Sequence, residues 1–181
     1  MESRIKPIDK PKGIVQILAF RFFKKEFGKV ITPAKVLYAR YPSIMFMVKK
    51  LYDTEDKFKN ILTEQKFIIQ NFVATINGCT FCMDISKKRV ISKQMSLDKF
   101  IDLLNFKNNN LFSEKEKAML TYVKEATSNV LVKDETYNEL KKHFSDNEII
   151  EITYVSAAEN FLNRLVKPIG IGSDELCEIK K

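Results

Sequence analysis

The chain is poor in the residues that staple or metallate a fold. It has 3 cysteines and 1 histidine among 181 residues, which excludes a dense disulfide scaffold. Structural zinc takes about four ligands. Cys177 stands in a polar C-terminal stretch and His143 is isolated, so no complete metal site is expected. No apolar run approaches the roughly 18 residues of a membrane span. Residues 1–12 are polar, carry two prolines and lack the charged-then-apolar order of a secretory signal. A cytoplasmic location without membrane association follows as the default. No alternating run carries the β-branched and aromatic content of a strand, and there is no internal repeat or low-complexity tract.

What is present fits one helical domain of ordinary size, long enough for a core. Apolar residues make up 45% and charged residues 30%, the balance of a globular protein in water. Apolar spacing predicts a helix over Ile14–Phe27 with Gly28 as its stop. Thr32-Pro33 opens a short helix that Pro42 ends, and Ser43 is placed to cap a helix over Ile44–Tyr52, with Asp53–Asp56 as a turn. Thr63 caps a helix whose Phe67, Ile68, Ile69, Phe72, Val73 and Ile76 form one buried stripe. Ser96 caps a short helix reaching Leu104. Ser113-x-x-Glu116 and Ser145-x-x-Glu148 are capping boxes, and Asp134 caps a helix ending near Phe144. The class is all-α, about eight helices. The net charge of +8 sits entirely in residues 1–60, with 14 Lys and Arg against 6 Asp and Glu. A basic segment can face nucleic acid, but lysines interleaved with apolar residues read first as the wet faces of helices.

The rest of the chain is arranged around Asn77-Gly78-Cys79-Thr80-Phe81-Cys82-Met83-Asp84-Ile85-Ser86. Gly78 can take the left-handed backbone that closes a helix, so the next helix begins at or just after Cys79. That places a Cys-x-x-Cys pair in a first helical turn, where unpaired N–H groups and the positive end of the dipole favour a thiolate. In a reducing compartment such a pair reads as redox or metal chemistry.

The segment Phe72–Asp84 resembles the core of the carboxymuconolactone decarboxylase-like family, and within it the alkylhydroperoxidase D branch: an apolar helix, Asn-Gly-Cys-x-x-Cys, then a His four residues on. Tyr38–Pro42, Ser113–Tyr122 and Glu151–Gly170 are similar to flanking segments of that family. The resemblance divides the chain into a basic N-terminal segment with one helix (1–35), a family domain (36–172) and a polar tail (173–181). It implies an alkylhydroperoxidase D-like helical bundle, assembly as a homo-oligomer (trimer or hexamer), no cofactor, and reduction of a peroxide or disulfide with electrons from a thiol donor. It also implies that Cys82 is the nucleophile and Cys79 resolves it.

The family's proton relay is altered. Ser86 occupies the His position and Phe67 that of a Glu. Ser86 shares a helix face with Cys82 and can donate a hydrogen bond, but a hydroxyl does not store a proton near neutral pH. Asp84 and Glu64 are the nearby carboxylates that could substitute. Asp84 lies about 200° round the helix from Cys82, and a carboxylate close to the sulfur would oppose the thiolate. The expected function is a thiol-dependent peroxidase or disulfide reductase, weakened by the relay changes. The alternatives are a non-catalytic or redox-sensing member of the same family, or a lactone decarboxylase, for which the cysteine pair has no use. Nucleic-acid binding rests on the basic first third alone.

Overall fold

The structure is a computed structural model that describes residues 3–177; the last four residues of the expected polar tail lie outside them. Eight α-helices order the described residues: α1 Ile14–Phe27, α2 Pro42–Glu55, α3 Thr63–Asn77, α4 Thr80–Ser92, α5 Asp98–Ile101, α6 Glu114–Asn129, α7 Asp134–Lys141 and α8 Asp146–Val166. A π-helical turn (Ala34–Tyr38) precedes α2, and 3-10 turns follow α5 and α8. No strand occurs among the described residues.

α3 is the central element. Every residue from Gln65 to Ala74 is buried, because α4, α6 and α8 all pack on it. One core cluster, including Phe72, Phe106, Met119 and Ile152, lies between α3, α6 and α8. A second is built from Ala34, Val36, Ala74, Cys79, Phe81, Cys82 and Ile171. The sequence places the cysteine pair at the turn; the structure seats it inside this second cluster. α1 meets the rest chiefly through the π-helical turn, where Phe20 is buried, and leaves Ile14, Leu18 and Phe22 exposed.

Both capping boxes form. Ser113 N–H donates to Glu116 Oε2 at 2.9 Å and Ser145 N–H to Glu148 Oε2 at 2.7 Å, while each serine hydroxyl accepts from the glutamate backbone. Other boundaries differ from the reading above. Pro42 ends one turn and also begins α2, so Ser43 lies inside the helix rather than at its cap. α2 runs on to Glu55 where a turn was expected, because Glu55 is buried and bonded to Gln70, and because Lys49 holds Asp53 one turn apart. Thr63 is the first residue of α3, capped when Leu62 N–H donates to Gln65 Oε1 at 2.8 Å. Asp134 starts α7 rather than capping it, and α7 ends at Lys141. The helix expected from Ser96 to Leu104 breaks at Asp102, whose backbone is non-helical.

One buried carboxylate secures the loop before α3. Glu151 on α8 accepts from the N–H groups of Lys59, Asn60 and Ile61 at 3.2, 3.0 and 2.9 Å, and from Asn60 Nδ2 at 2.6 Å. Glu151→Ala strands these donors, and we expect it to lower the unfolding free energy by about 3 kcal/mol. The shift should appear in the urea midpoint with an unchanged m-value.

Candidate active site

Local chemistry builds the site first. Gly78 ends α3 with φ +63°, the left-handed conformation that other residues adopt only under strain. Cys79 N–H then reaches back to the Ala74 carbonyl at 2.8 Å, closing α3. Cys79 is the residue that precedes α4, and its carbonyl accepts from Met83 N–H at 3.0 Å, the first hydrogen bond of the new helix. Cys79 and Cys82 stand 5.3 Å apart between Cα atoms and are joined as a disulfide. The three-residue spacing and the helix start alone bring the sulfurs into bonding reach.

The surroundings are a tertiary outcome. Cys79 is 1% exposed and Cys82 7%. The π-helical turn lies over them, as does the C-terminal stretch through buried Ile171 and Leu176. That stretch is clasped from two sides. Asp84 accepts from Ser173 Oγ and from the N–H groups of Asp174 and Glu175, both at 3.0 Å. Asp174 in turn accepts from Thr32 N–H at 2.7 Å and Thr32 Oγ1 at 2.6 Å. The N-terminal stretch adds a further tie, Arg4 N–H to the Ile169 carbonyl at 2.9 Å.

The remaining sequence candidates are brought to the sulfurs unequally. Ser86 is buried one turn below Cys82, and its hydroxyl donates to the Phe67 carbonyl at 3.4 Å rather than to sulfur. Asp84 is committed to the clasp on the outer side of α4. Glu64 sits in the first turn of α3 and pairs with Lys99 at 3.3 Å. His143 follows α7 and faces Glu139 at 3.4 Å. Cys177 Sγ donates to the Asp84 carbonyl at 3.4 Å; burial, reinforced by the Asp84 charge, pushes its thiol upward, away from nucleophilic chemistry.

Sequence reasoning missed a buried ionic cluster beside Ser86. Gln70 Nε2 donates to both carboxylate oxygens of Glu55 at 2.9 Å. Arg89 Nη1 donates to Gln70 Oε1 at 3.1 Å, with its guanidinium 4.9 Å from the ring centres of both Tyr52 and Phe67. Glu159 on α8 accepts from Asn163 Nδ2 at 2.6 Å, and Asn163 Oδ1 accepts from Asn77 Nδ2 at 2.9 Å, two residues before Cys79. Burial, added to the charge of Glu55 and outweighing the Asn163 bond, pushes the Glu159 carboxyl up to about 8. Burial also raises Glu55 against the pull of Arg89, and burial together with Glu159 raises the Tyr52 hydroxyl. Glu159 is therefore a neutral acid near pH 7. The available signal was helical phase: Glu159 shares the buried stripe of Ile152, Val155, Leu162 and Val166. Next to this cluster a cleft of about 540 Å³ opens between α2, α3 and α4, lined among others by Glu55, Lys66, Phe67 and Arg89. Among the described residues no group of three or more His, Cys, Asp or Glu is placed to hold a metal ion. No described helix is long and apolar enough to cross a membrane.

Comparison with known proteins agrees with this architecture. No family model matches the chain. The uncharacterized protein YnjA of Escherichia coli strain K12 is 24% identical over 158 residues, 86% of each chain. The crystal structure of a protein of unknown function from Agrobacterium tumefaciens, related by its description to the antioxidant defence protein AhpD, is similar at 27% identity and a TM-score of 0.67, covering 74% of this chain and 93% of that one. The debrominase Bmp8, solved with 2,3,4-tribromopyrrole, superposes with a TM-score of 0.80 at 20% identity over 97% and 94% of the two chains. The chain thus has the alkylhydroperoxidase D-like fold, and these likenesses support a place in the wider carboxymuconolactone decarboxylase and alkylhydroperoxidase D superfamily.

The raised carboxyl makes stability depend on pH with a definite sign. Unfolded, Glu159 ionises from about 4.5; folded, it keeps its proton to about 8. The stability contributed by the neutral form is complete below the lower value and is lost as pH rises towards the upper one. Glu159→Gln retains an acceptor for Asn163 without the charge. Urea titrations of the oxidised protein at about pH 5 and about pH 8 should then differ less in the variant than in the parent.

Proposed function

We propose that the chain is a thiol-dependent peroxidase or disulfide reductase working through Cys82 and Cys79. The observation that carries this reading is the pair of sulfurs held in bonding reach at the start of α4. Cys82, at the third position of the helix, has the unpaired N–H groups and dipole of the first turn to stabilise a thiolate. The Cys82 thiolate attacks a peroxide oxygen; the S–O bond forms, the O–O bond breaks, and the departing alkoxide takes a proton to leave as alcohol. The Cys79 sulfur then attacks the sulfenic acid; the S–S bond forms, the S–O bond breaks, and hydroxide leaves with a proton as water. A thiol donor returns the disulfide to two thiols. With a disulfide substrate, the same thiolate opens the substrate's S–S bond instead. Ser86 assists by turning its hydroxyl from the Phe67 carbonyl towards the reduced sulfur.

Access is the feature that sets this protein's rate. Phe67 stands in the cleft wall with its carbonyl on Ser86, where the resembled family carries a glutamate. Turnover requires the cover of the sulfurs to open or the cleft to admit substrate past Phe67. The second reading, a redox switch without turnover, is favoured by one observation, the near-complete burial of both sulfurs. Self-association belongs to the proposal as well: Ile14, Leu18 and Phe22 on α1 offer apolar surface for it.

The reduced protein is to be mixed with an organic hydroperoxide, with a small disulfide and, because a debrominase shares the fold, with a bromopyrrole, in the presence of a dithiol donor. Turnover of the peroxide or the disulfide is expected, with Cys82→Ser inactive and Cys79→Ser, assayed without the donor, reacting once and stalling at Cys82. Full activity in Cys82→Ser would remove the proposal. Ser86→His should raise the rate by up to about 10²–10⁴ if a general base is what is missing; an unchanged, negligible rate would favour the switch.

A further inference from the structure

We propose that residues 172–177 form a strap that gates the Cys79–Cys82 pair, and that Asp84 is the latch holding it shut. The inference concerns entry to the sulfurs and applies to either reading above, an enzyme or a switch.

Both cysteines are buried, so a covering segment must move before a reagent reaches them. The two segments that cover them are held very differently. The π-helical turn belongs to a hydrogen-bonded run that leads into α2: Ala39 N–H donates to the Ala34 carbonyl and Tyr41 N–H to the Leu37 carbonyl, each at 2.9 Å. Arg40 Nη1 adds a bond to the Val36 carbonyl at 2.7 Å, and Ile8 N–H one to the Lys35 carbonyl at 3.1 Å. Residues 172–177 form no helix. The last main-chain tie before them is Ile171 N–H to the Val166 carbonyl at 3.3 Å, and among the described residues no main-chain pair joins 172–177 to another element.

Two carboxylates hold the strap instead. A single oxygen, Asp84 Oδ2, accepts from Ser173 Oγ and from the N–H groups of Asp174 and Glu175, the last two at 3.0 Å. The Asp174 carboxylate accepts from Thr32 N–H at 2.7 Å and from Thr32 Oγ1 at 2.6 Å. The strap therefore bridges α4, which carries Cys82, and the segment that enters the π-helical turn. Ile171 at its root and Leu176 near its end are buried in the same apolar cluster as both cysteines. Cys177 Sγ closes the far end on the Asp84 carbonyl at 3.4 Å.

Glu175 shows that the latch works against the chain's own preference. Its φ is +56°, a conformation that residues with a side chain avoid. It is retained where its N–H meets Asp84. Bonds to an ionised acceptor are the stronger kind, yet here they are few and each depends on one of two side chains. A segment tied in this way opens at less cost than the bundle around it. Release at Asp84 and Asp174 withdraws Leu176 and uncovers the apolar cluster of the sulfurs, while α3 and α8 stay folded.

The test measures entry rather than turnover. It uses the oxidised protein with Cys177→Ser, which keeps a donor for the Asp84 carbonyl and leaves the pair as the only cysteines. The reagent is an uncharged phosphine, which is oxidised to its oxide as the disulfide becomes two thiols. Asp84→Ala removes the latch, and Asp174→Ala frees the other end without touching α4. Each should speed reduction about tenfold, from the loss of bonds to a charged acceptor. Amide hydrogen exchange is followed in the same proteins. Residues 173–176 should exchange faster in both variants, and α3 and α8 at the parental rate. Asp174→Ala carries the test alone if Asp84→Ala does not fold. Faster exchange in the strap with unchanged reduction would overturn the proposal and put the entry elsewhere. Unchanged exchange in the strap, or faster reduction with faster exchange throughout α3, would overturn it equally. Faster reduction of a loosened strap in a protein that turns over neither peroxide nor disulfide would uphold the gate and reject the enzyme reading.

Discussion

The break between α3 and α4 at Gly78 is the constraint from which the rest of the site follows. A left-handed residue ends α3, the chain reverses, and α4 begins within two residues. The same reversal fixes three things together. It sets two cysteines at helical spacing in a first turn. It makes α3 and α4 antiparallel neighbours, so that Phe67 lies against Ser86. It also brings Asn77 within hydrogen-bond distance of Asn160 and Asn163 on α8. A side chain at position 78 would add strain from φ +63° and would approach Lys167 Nζ to 2.7 Å. Lys167 in turn donates to the Gly78 carbonyl at 3.1 Å, which ties the turn to the end of α8.

Ionisable side chains from α2, α3, α4 and α8 are packed together in the bundle. Arg89 and the buried Lys66 are the cations near Glu55, and Arg89 also lies near Glu159 and over the Tyr52 ring. Removing carboxylates from water is expensive, and burial raises both carboxyls against the pull of these cations, Glu159 up to about 8. A neutral acid linked through Asn163 and Asn77 to the cysteine turn is an unusual thing for a packed core to retain. The sulfurs themselves sit in apolar surroundings, so the polar machinery and the redox pair occupy adjoining but distinct environments along one face of α4.

The elements most legible in the sequence are those set by neighbours in the chain. Ser113-x-x-Glu116 and Ser145-x-x-Glu148 announce two helix starts correctly because a capping box closes within four residues. Gly28 and Gly78 announce two stops for a similar reason. Asp53–Asp56 was misread because polarity stood in for position: Glu55 looks like part of a solvated turn until Gln70 and Arg89 arrive from other helices. Pro42 was read only as a terminator, although a proline also suits the first residue of a helix. Asp84, a plausible acid two residues after Cys82, proves to be the clasp of the C-terminal stretch, a role that depends on residues about ninety positions away.

By itself the sequence determined an all-helical chain, most of its helix starts and stops, and a Cys-x-x-Cys pair at the mouth of a helix, since propensity, capping and three-residue spacing act over a few bonds. Only the tertiary structure decided that those sulfurs are covered, that Phe67 walls the cleft, that burial raises the Glu159 carboxyl and that Asn71 Nδ2 has no partner. Each of these depends on the relative phase of helices far apart in the chain, and on the water that their packing excludes, which no local pattern encodes.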